Sequence, residues 1–202
     1  MKELERSNRV AMIAHGVISA CMLFISVIGF AEHTVSAPVL AVLMILGIIP
    51  VLAEIICWKR DHATKAIKHL SMIGFALFYT VLLFTAQCNM VYAFVIPMMF
   101  AVMPYHDVKA FALINVGTVV ENVLVVILGA TQGGFGYLGQ DAGFIQISVM
   151  ILLCFTSIYA TISNQKNTNE NIESSNALYI FIGVLLVGYG SIDRCKAQQD
   201  HY

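Results

Sequence analysis

Long apolar runs separated by short polar breaks dominate this chain. The runs are apolar on every side, so a half-buried strand or a one-sided soluble helix does not describe them. A helix that crosses the hydrocarbon of a bilayer needs about 20 such residues at about 1.5 Å of rise each. Six runs fit that pattern: 8–30, 35–58, 64–86, 90–105, 108–131 and 143–163. A weaker seventh lies at 177–192 and carries Gly183, Gly188 and Gly190. The reading divides the chain into a six-helix transmembrane unit, 1–166, and a segment 167–202 made of a polar stretch, the weak seventh run and a tail. The fold class expected is all-α: a polytopic transmembrane helical bundle of six spans, with the seventh left open between a span and a peripheral or re-entrant piece.

Breaks and prolines refine this picture. The connections 31–34, 59–63, 87–89 and 106–107 are short. Proline lacks a backbone donor and clashes with the preceding turn, so Pro97 is expected to bend the fourth run and Pro104 to end it. The longest connection, 132–142, holds Gly133, Gly134, Gly136 and Gly139. It resembles an anion nest, but no phosphate-binding spacing follows, and a flexible external loop is expected. The first run follows Lys2, Arg6 and Arg9 as a signal peptide would, yet it exceeds the usual ~7–15 apolar residues and Pro38 would follow the cut. It is read as a retained first helix.

Charge orients the bundle. Lys and Arg remain on the cytoplasmic side of short loops. With six spans, Lys2, Arg6, Arg9, Lys59, Arg60, Lys65, Lys68, Lys109 and Lys166 all fall on the side of the N-terminus, and the opposite loops hold none. The expectation is a multi-pass protein of the plasma (inner) membrane with its N-terminus in the cytoplasm. Arg194 and Lys196 follow the seventh run and would oppose the rule if that run spanned.

Composition agrees with a lipid partner. Hydrophobic residues make up 59% and charged residues 11%, against about 25% charged in soluble domains, which need a polar skin. The net charge of −1 gives no footprint for nucleic acid. Cys21, Cys57, Cys88, Cys154 and Cys195 are scattered singly and read as small membrane-buried residues. No His-x-x-x-His, nucleophile elbow, phosphate loop or pair of working carboxylates occurs, so no metal, cofactor or enzymatic activity is assigned.

An ionisable side chain in hydrocarbon is costly and usually faces the bundle interior. Helix five carries Asn115, Thr118, Glu121 and Asn122. Asn115 and Asn122 are seven residues apart, on one face, with Thr118 between them. This candidate intramembrane polar site either receives a ligand, proton or ion, or fixes packing through interhelical hydrogen bonds. Glu54, one turn before Trp58, is expected to snorkel to the inner interface or to pair there with Lys65 or Lys68. His15 and His69 are read as interfacial or satisfied, and Gln146 as interfacial.

Three stretches then resemble a known family. SNRVAMIAHG at 7–16, KHLSMIGFALFYTVLLFTAQCNMVYAFVIPMMFAVMPYHD at 68–107 and ALINV at 112–116 resemble the membrane region of certain bacterial methyl-accepting chemotaxis proteins from clostridia-like organisms. Related six-helix units precede diguanylate cyclase domains. The resemblance covers roughly 2–166 and its motifs are moderately specific. It implies a sensory input module for signal transduction, a homodimer, and a last helix that leads into a cytoplasmic coil. Histidine kinase and adaptor enter only through such a coil, which the family pattern places after helix six. Here 164–175 begins that way and then turns apolar, so the chain is read as an input module without the coil. The alternatives are a small transporter or ion-conducting protein, with Glu121 and Asn115 in its path, and a structural partner of another membrane protein.

Overall fold

A computed structural model of the chain describes residues 2–167, and these form a bundle of six α-helices with no strand among them. They are α1 (Lys2–Ala31), α2 (Ala37–Arg60), α3 (Ala66–Thr85), α4 (Val95–Val102), α5 (Val108–Gln132) and α6 (Gln140–Asn167). The all-α bundle is as the sequence predicts. The seventh run, 177–192, lies outside the described residues.

The bundle is arranged opposite to a soluble protein. Large apolar side chains cover its outside, with Leu113, Phe155 and Tyr159 each more than two-thirds exposed, while Asn8, His15, Glu54, Asn122 and Thr161 are wholly buried. In water this arrangement would lose both the hydrophobic term and the solvation of the polar groups. Surrounded by hydrocarbon it is the favourable one, because only the interior supplies hydrogen-bond partners. Five of the helices are long and apolar enough to cross a membrane, which makes this a multi-pass membrane protein.

The fourth crossing is built differently. Only α4 is α-helical, flanked by the 3-10 segments Asn89–Phe94 and Met103–Tyr105. A 3-10 turn rises about 2.0 Å per residue against about 1.5 Å in an α-helix, so the whole segment reaches about 30 Å. Contacts at its two ends confirm the traverse. Ala86, Gln87 and Cys88 share a pocket with Gly29 and Thr34 at one end of the bundle. At the other end the Tyr105 hydroxyl donates to Asn8 Oδ1 (2.8 Å) and Asn164 of α6 reaches Met103. The chain thus crosses the bundle six times within 2–167, and the lysines and arginines in that range lie toward the end that holds Asn8 and Tyr105. Pro97 does not bend a long helix as expected. It sits in the first turn of α4, where the missing N–H has no intrahelical partner to lose. Pro104 falls just after α4 ends.

Small residues let α1, α2 and α3 approach closely. A Cβ on Gly74 of α3 would lie 2.5 Å from the Cβ of Pro50, the proline inside α2, and 3.3 Å from His15 Cε1. At Gly47 of α2 it would lie 2.9 Å from the Phe78 ring. The glycine-rich connection between α5 and α6 includes a tight turn. Gly133, Gly134 and Gly136 take positive φ, and Tyr137 folds back over Gly129, where a Cβ would meet the tyrosine at 2.6 Å.

Because a ring fused to the backbone cannot yield, Gly74→Ala is expected to lower stability by about 1–2 kcal/mol even after its gain in helix propensity. Gly117 faces open space on α5, and Gly117→Ala is expected to leave stability unchanged or raise it by up to about 1 kcal/mol. Unfolding in mixed micelles compares the two, and equal effects would contradict the close α2–α3 approach.

Candidate functional site

The polar face of α5 is turned inward and tied to two neighbours. Asn115, Thr118 and Asn122 are all buried. Asn122 Nδ2 donates to the Tyr79 hydroxyl oxygen of α3 (2.9 Å) and to the Thr118 carbonyl (2.8 Å), and its Oδ1 accepts from Gln146 Nε2 of α6 (2.8 Å). About 10 Å farther along α5, Asn115 Nδ2 donates to the Phe111 carbonyl and Asn115 Oδ1 accepts from Ser157 Oγ of α6 (2.9 Å). Thr118 caps its own helix, its hydroxyl donating to the Ile114 carbonyl.

Glu121 stands apart from that face. One residue on a helix is about 100° of rotation, which moves it from the α6 side of Asn122 toward α3. It is half-buried, and its Oε1 accepts from Thr80 Oγ1 at 2.7 Å. The four residues expected together therefore form two adjoining groups: Asn115, Thr118 and Asn122, bonded to α6 and through Asn122 also to α3, and Glu121, which meets α3 alone. Gln146 is not the interfacial residue expected, since it is buried within the first group. Its spacing from a polar partner on another helix left no mark in the sequence.

Glu54 departs furthest from expectation. It neither snorkels nor pairs with Lys65 or Lys68. Its carboxylate is wholly buried, with Oε1 2.5 Å from Nδ1 of His15, itself wholly buried in α1. The reason is rotational. Glu54 lies on the α2 face that also buries Leu43 and Gly47 against α1 and α3, so the side chain points inward before it can reach the interface. Phe75 of α3 sets its ring edge-on to His15 at 6.4 Å. Lys65 is exposed.

Lys68 instead meets Asp107, the N-cap of α5, with Nζ 2.6 Å from Oδ2, while Asp107 Oδ1 accepts from the Ala110 amide. These two bonds, the lysine's first, hold the Asp107 carboxyl below its ordinary value of 3.8. Nearby, Asn8 Nδ2 donates to the carbonyls of His62 and Thr64, both at 2.9 Å, and so fastens α1 to the α2–α3 connection.

No family model matches the chain, and no curated protein or solved structure matches it either. The chemistry must therefore be read from the side chains. No group of three or more His, Cys, Asp or Glu able to hold a metal occurs among the described residues. What the arrangement can do is hold polar groups away from lipid, couple the position of α6 to α5 and α3, and carry charge or a proton at Glu121 or at the His15–Glu54 pair.

Two measurements follow. Asn122→Ala strands the Tyr79 hydroxyl and the Gln146 amide, so a loss of about 1–3 kcal/mol is expected in micelle unfolding. Thr118→Ala removes only a bond within its own helix and should cost less than half of that. Equal losses would mean that Asn122 does not join the helices. For Asp107, a carboxyl held below its ordinary value stabilises the fold fully above that value, and the contribution is lost as pH falls through the lower folded value. Acid titration of thermal stability should show this loss below about pH 4 in the wild type and a weaker one in Asp107→Asn, which keeps a good N-cap. Superimposable acid limbs would contradict the pairing.

Proposed function

We propose that the chain is the membrane-embedded input module of a chemotaxis-type receptor, working in the plasma membrane with its basic end in the cytoplasm. The observation that carries this reading is the geometry of α6. It runs unbroken for 28 residues from the glycine-rich connection to the basic end. It is hydrogen-bonded to α5 at two levels, through Gln146–Asn122 and Ser157–Asn115. A change in the α3–α5 contact, at Tyr79–Asn122 and Thr80–Glu121, is thereby passed to a rod that leaves the bundle on the side of the N-terminus. Allosteric coupling of this kind needs two arrangements of packed elements that a stimulus biases differently. The receptor reading carries with it a homodimer, and a kinase and adaptor reached through an output coil.

A second reading has its own support. The fourth crossing is a broken helix, and transporters place such helices near their substrate paths. Glu121, half-buried at mid-membrane, is the residue that a path for a proton or cation would use.

Joining residues 1–167 to a methyl-accepting signalling coil, in several heptad registers, separates the two. With kinase and adaptor present, Gln146→Leu or Glu121→Gln is expected to change kinase activity about fivefold or more in at least one register, the range of ordinary allosteric coupling. Activity indifferent to both substitutions in every register would sink the receptor reading. Ion or proton flux into proteoliposomes that is abolished by Glu121→Gln would replace it with the second.

A further inference from the structure

The pair formed by His15 and Glu54 leaves four polar atoms of one neighbourhood without partners. His15 Nε2, Glu54 Oε2, Ser19 Oγ and Ser71 Oγ are each buried and make no hydrogen bond. Their convergence follows from the clamp at Asn8. Asn8 binds the Thr64 carbonyl, so α1 at Asn8, α2 at its end and α3 at its start share one level. Five to seven residues into each helix from that level, about 7–10 Å deeper, stand His15, Ser71 and Glu54. Ser19 is one turn beyond His15 on the same face of α1. The placement of Gly74 against both Pro50 and His15 Cε1 closes the far side.

Buried polar groups are almost always satisfied, and a buried charge must be neutralised. The contact of Nδ1 with Oε1 at 2.5 Å requires a proton between them. If that were the only proton, with a neutral imidazole and an ionised carboxylate, the site would carry one uncompensated negative charge at full burial. Nε2 would also be a bare acceptor facing further acceptors. Among the described residues, none is paired with the site as a positive charge. From α3, the groups facing it are Ser71 and Phe75, with Tyr79 stacked behind Phe75. α4 reads VIPMMFAV and has no titratable residue. Tyr105, after α4, is bonded to Asn8. Lys68 is committed to Asp107.

We infer that His15 and Glu54 form an intramembrane binding site for one proton, in a neighbourhood that also buries Ser19 and Ser71. The proton adds to the pair, so that Nε2 carries a hydrogen and the net charge of the site passes from −1 to zero. The added hydrogen turns Nε2 from a bare acceptor into a donor. The tight packing against Gly74 leaves the bare proton, and not a larger cation, as the ligand. Release of the proton restores a buried charge that hydrocarbon cannot solvate, so occupancy is tied to the packing of α1 on α2 and α3. The site stands whether or not α6 feeds a receptor output.

The test uses the full chain in lipid nanodiscs, labelled with 15N-histidine and retaining His15 as its single histidine. The five replaced positions are the exposed His33, His62 and His69, the partly buried His106, and His201. At neutral pH, nitrogen NMR should find Nε2 protonated. A bare Nε2 resonance at neutral pH would overturn the inference, and so would a proton that disappears when sodium is added, which would assign the site to a metal cation. As a second readout, opening the bundle with dodecyl sulfate at neutral pH should release close to one proton per chain more from the wild type than from the double variant His15→Gln, Glu54→Gln. Equal release from the two would also overturn it.

Discussion

Hydrocarbon offers no hydrogen-bond partner, and this one constraint organises the whole bundle. Every polar side chain in a crossing helix must be satisfied by another part of the protein or bear a cost of several kcal/mol. The interior is accordingly layered by polarity. At the basic end, Asn8 holds the α2–α3 connection and Tyr105, and Lys68 holds Asp107. One level deeper His15 meets Glu54. Between α3, α5 and α6 run the bonds of Tyr79, Thr80, Glu121, Asn122 and Gln146. Apolar packing fills the space between these layers, and small residues set how closely α1, α2 and α3 approach. The polar contacts fix which helix faces which.

The same constraint divides the molecule into two parts with different connections. α1, α2 and α3 pack around glycines and the rigid ring of Pro50, with α4 laid against α1. α5 and α6 form a hairpin locked by Tyr137 over Gly129 and by two levels of hydrogen bonds. Between the parts, three polar contacts reach α3, Tyr79–Asn122, Thr80–Glu121 and Lys68–Asp107, beside apolar packing of Phe111, Val125, Met150 and Leu153 in the shared core. Two packed units that meet through directional bonds as well as apolar packing are suited to two discrete arrangements, since packed interiors do not deform continuously. That is the physical content of the proposed input role for α6.

Much of the fold was legible in the sequence because a bilayer imposes a coarse, length-based rule. Runs of the required length gave the six crossings to within a few residues, and the lysines and arginines gave their common end. The polar face of Asn115, Thr118 and Asn122 was legible because helical spacing alone places residues on one side. What failed depended on rotation of one helix against another. Glu54 sits near enough to Lys65 and Lys68 in sequence to pair with them, yet the azimuth of α2 points it to His15, 39 positions away. Gln146 looked interfacial by depth and is buried by direction. Pro97 looked like a kink, because a run of apolar residues conceals that its first third is wound as a 3-10 helix. Pro50 and Gly74 carried a signal, a proline and a small residue in adjacent apolar runs, but their register against each other was not readable.

The crossing made by the short 3-10 and α4 segment decides whether α6 emerges on the side of the N-terminus, and on this the account stands. Cys88, exposed just before that segment, and a cysteine placed at Gln165 near the end of α6 can be labelled with a membrane-impermeant thiol reagent in intact cells, in a chain otherwise free of cysteine. With six crossings, Cys88 is labelled from outside and position 165 is labelled only after lysis. Labelling of both from the same side would mean that the segment does not cross, and the input geometry would then be wrong.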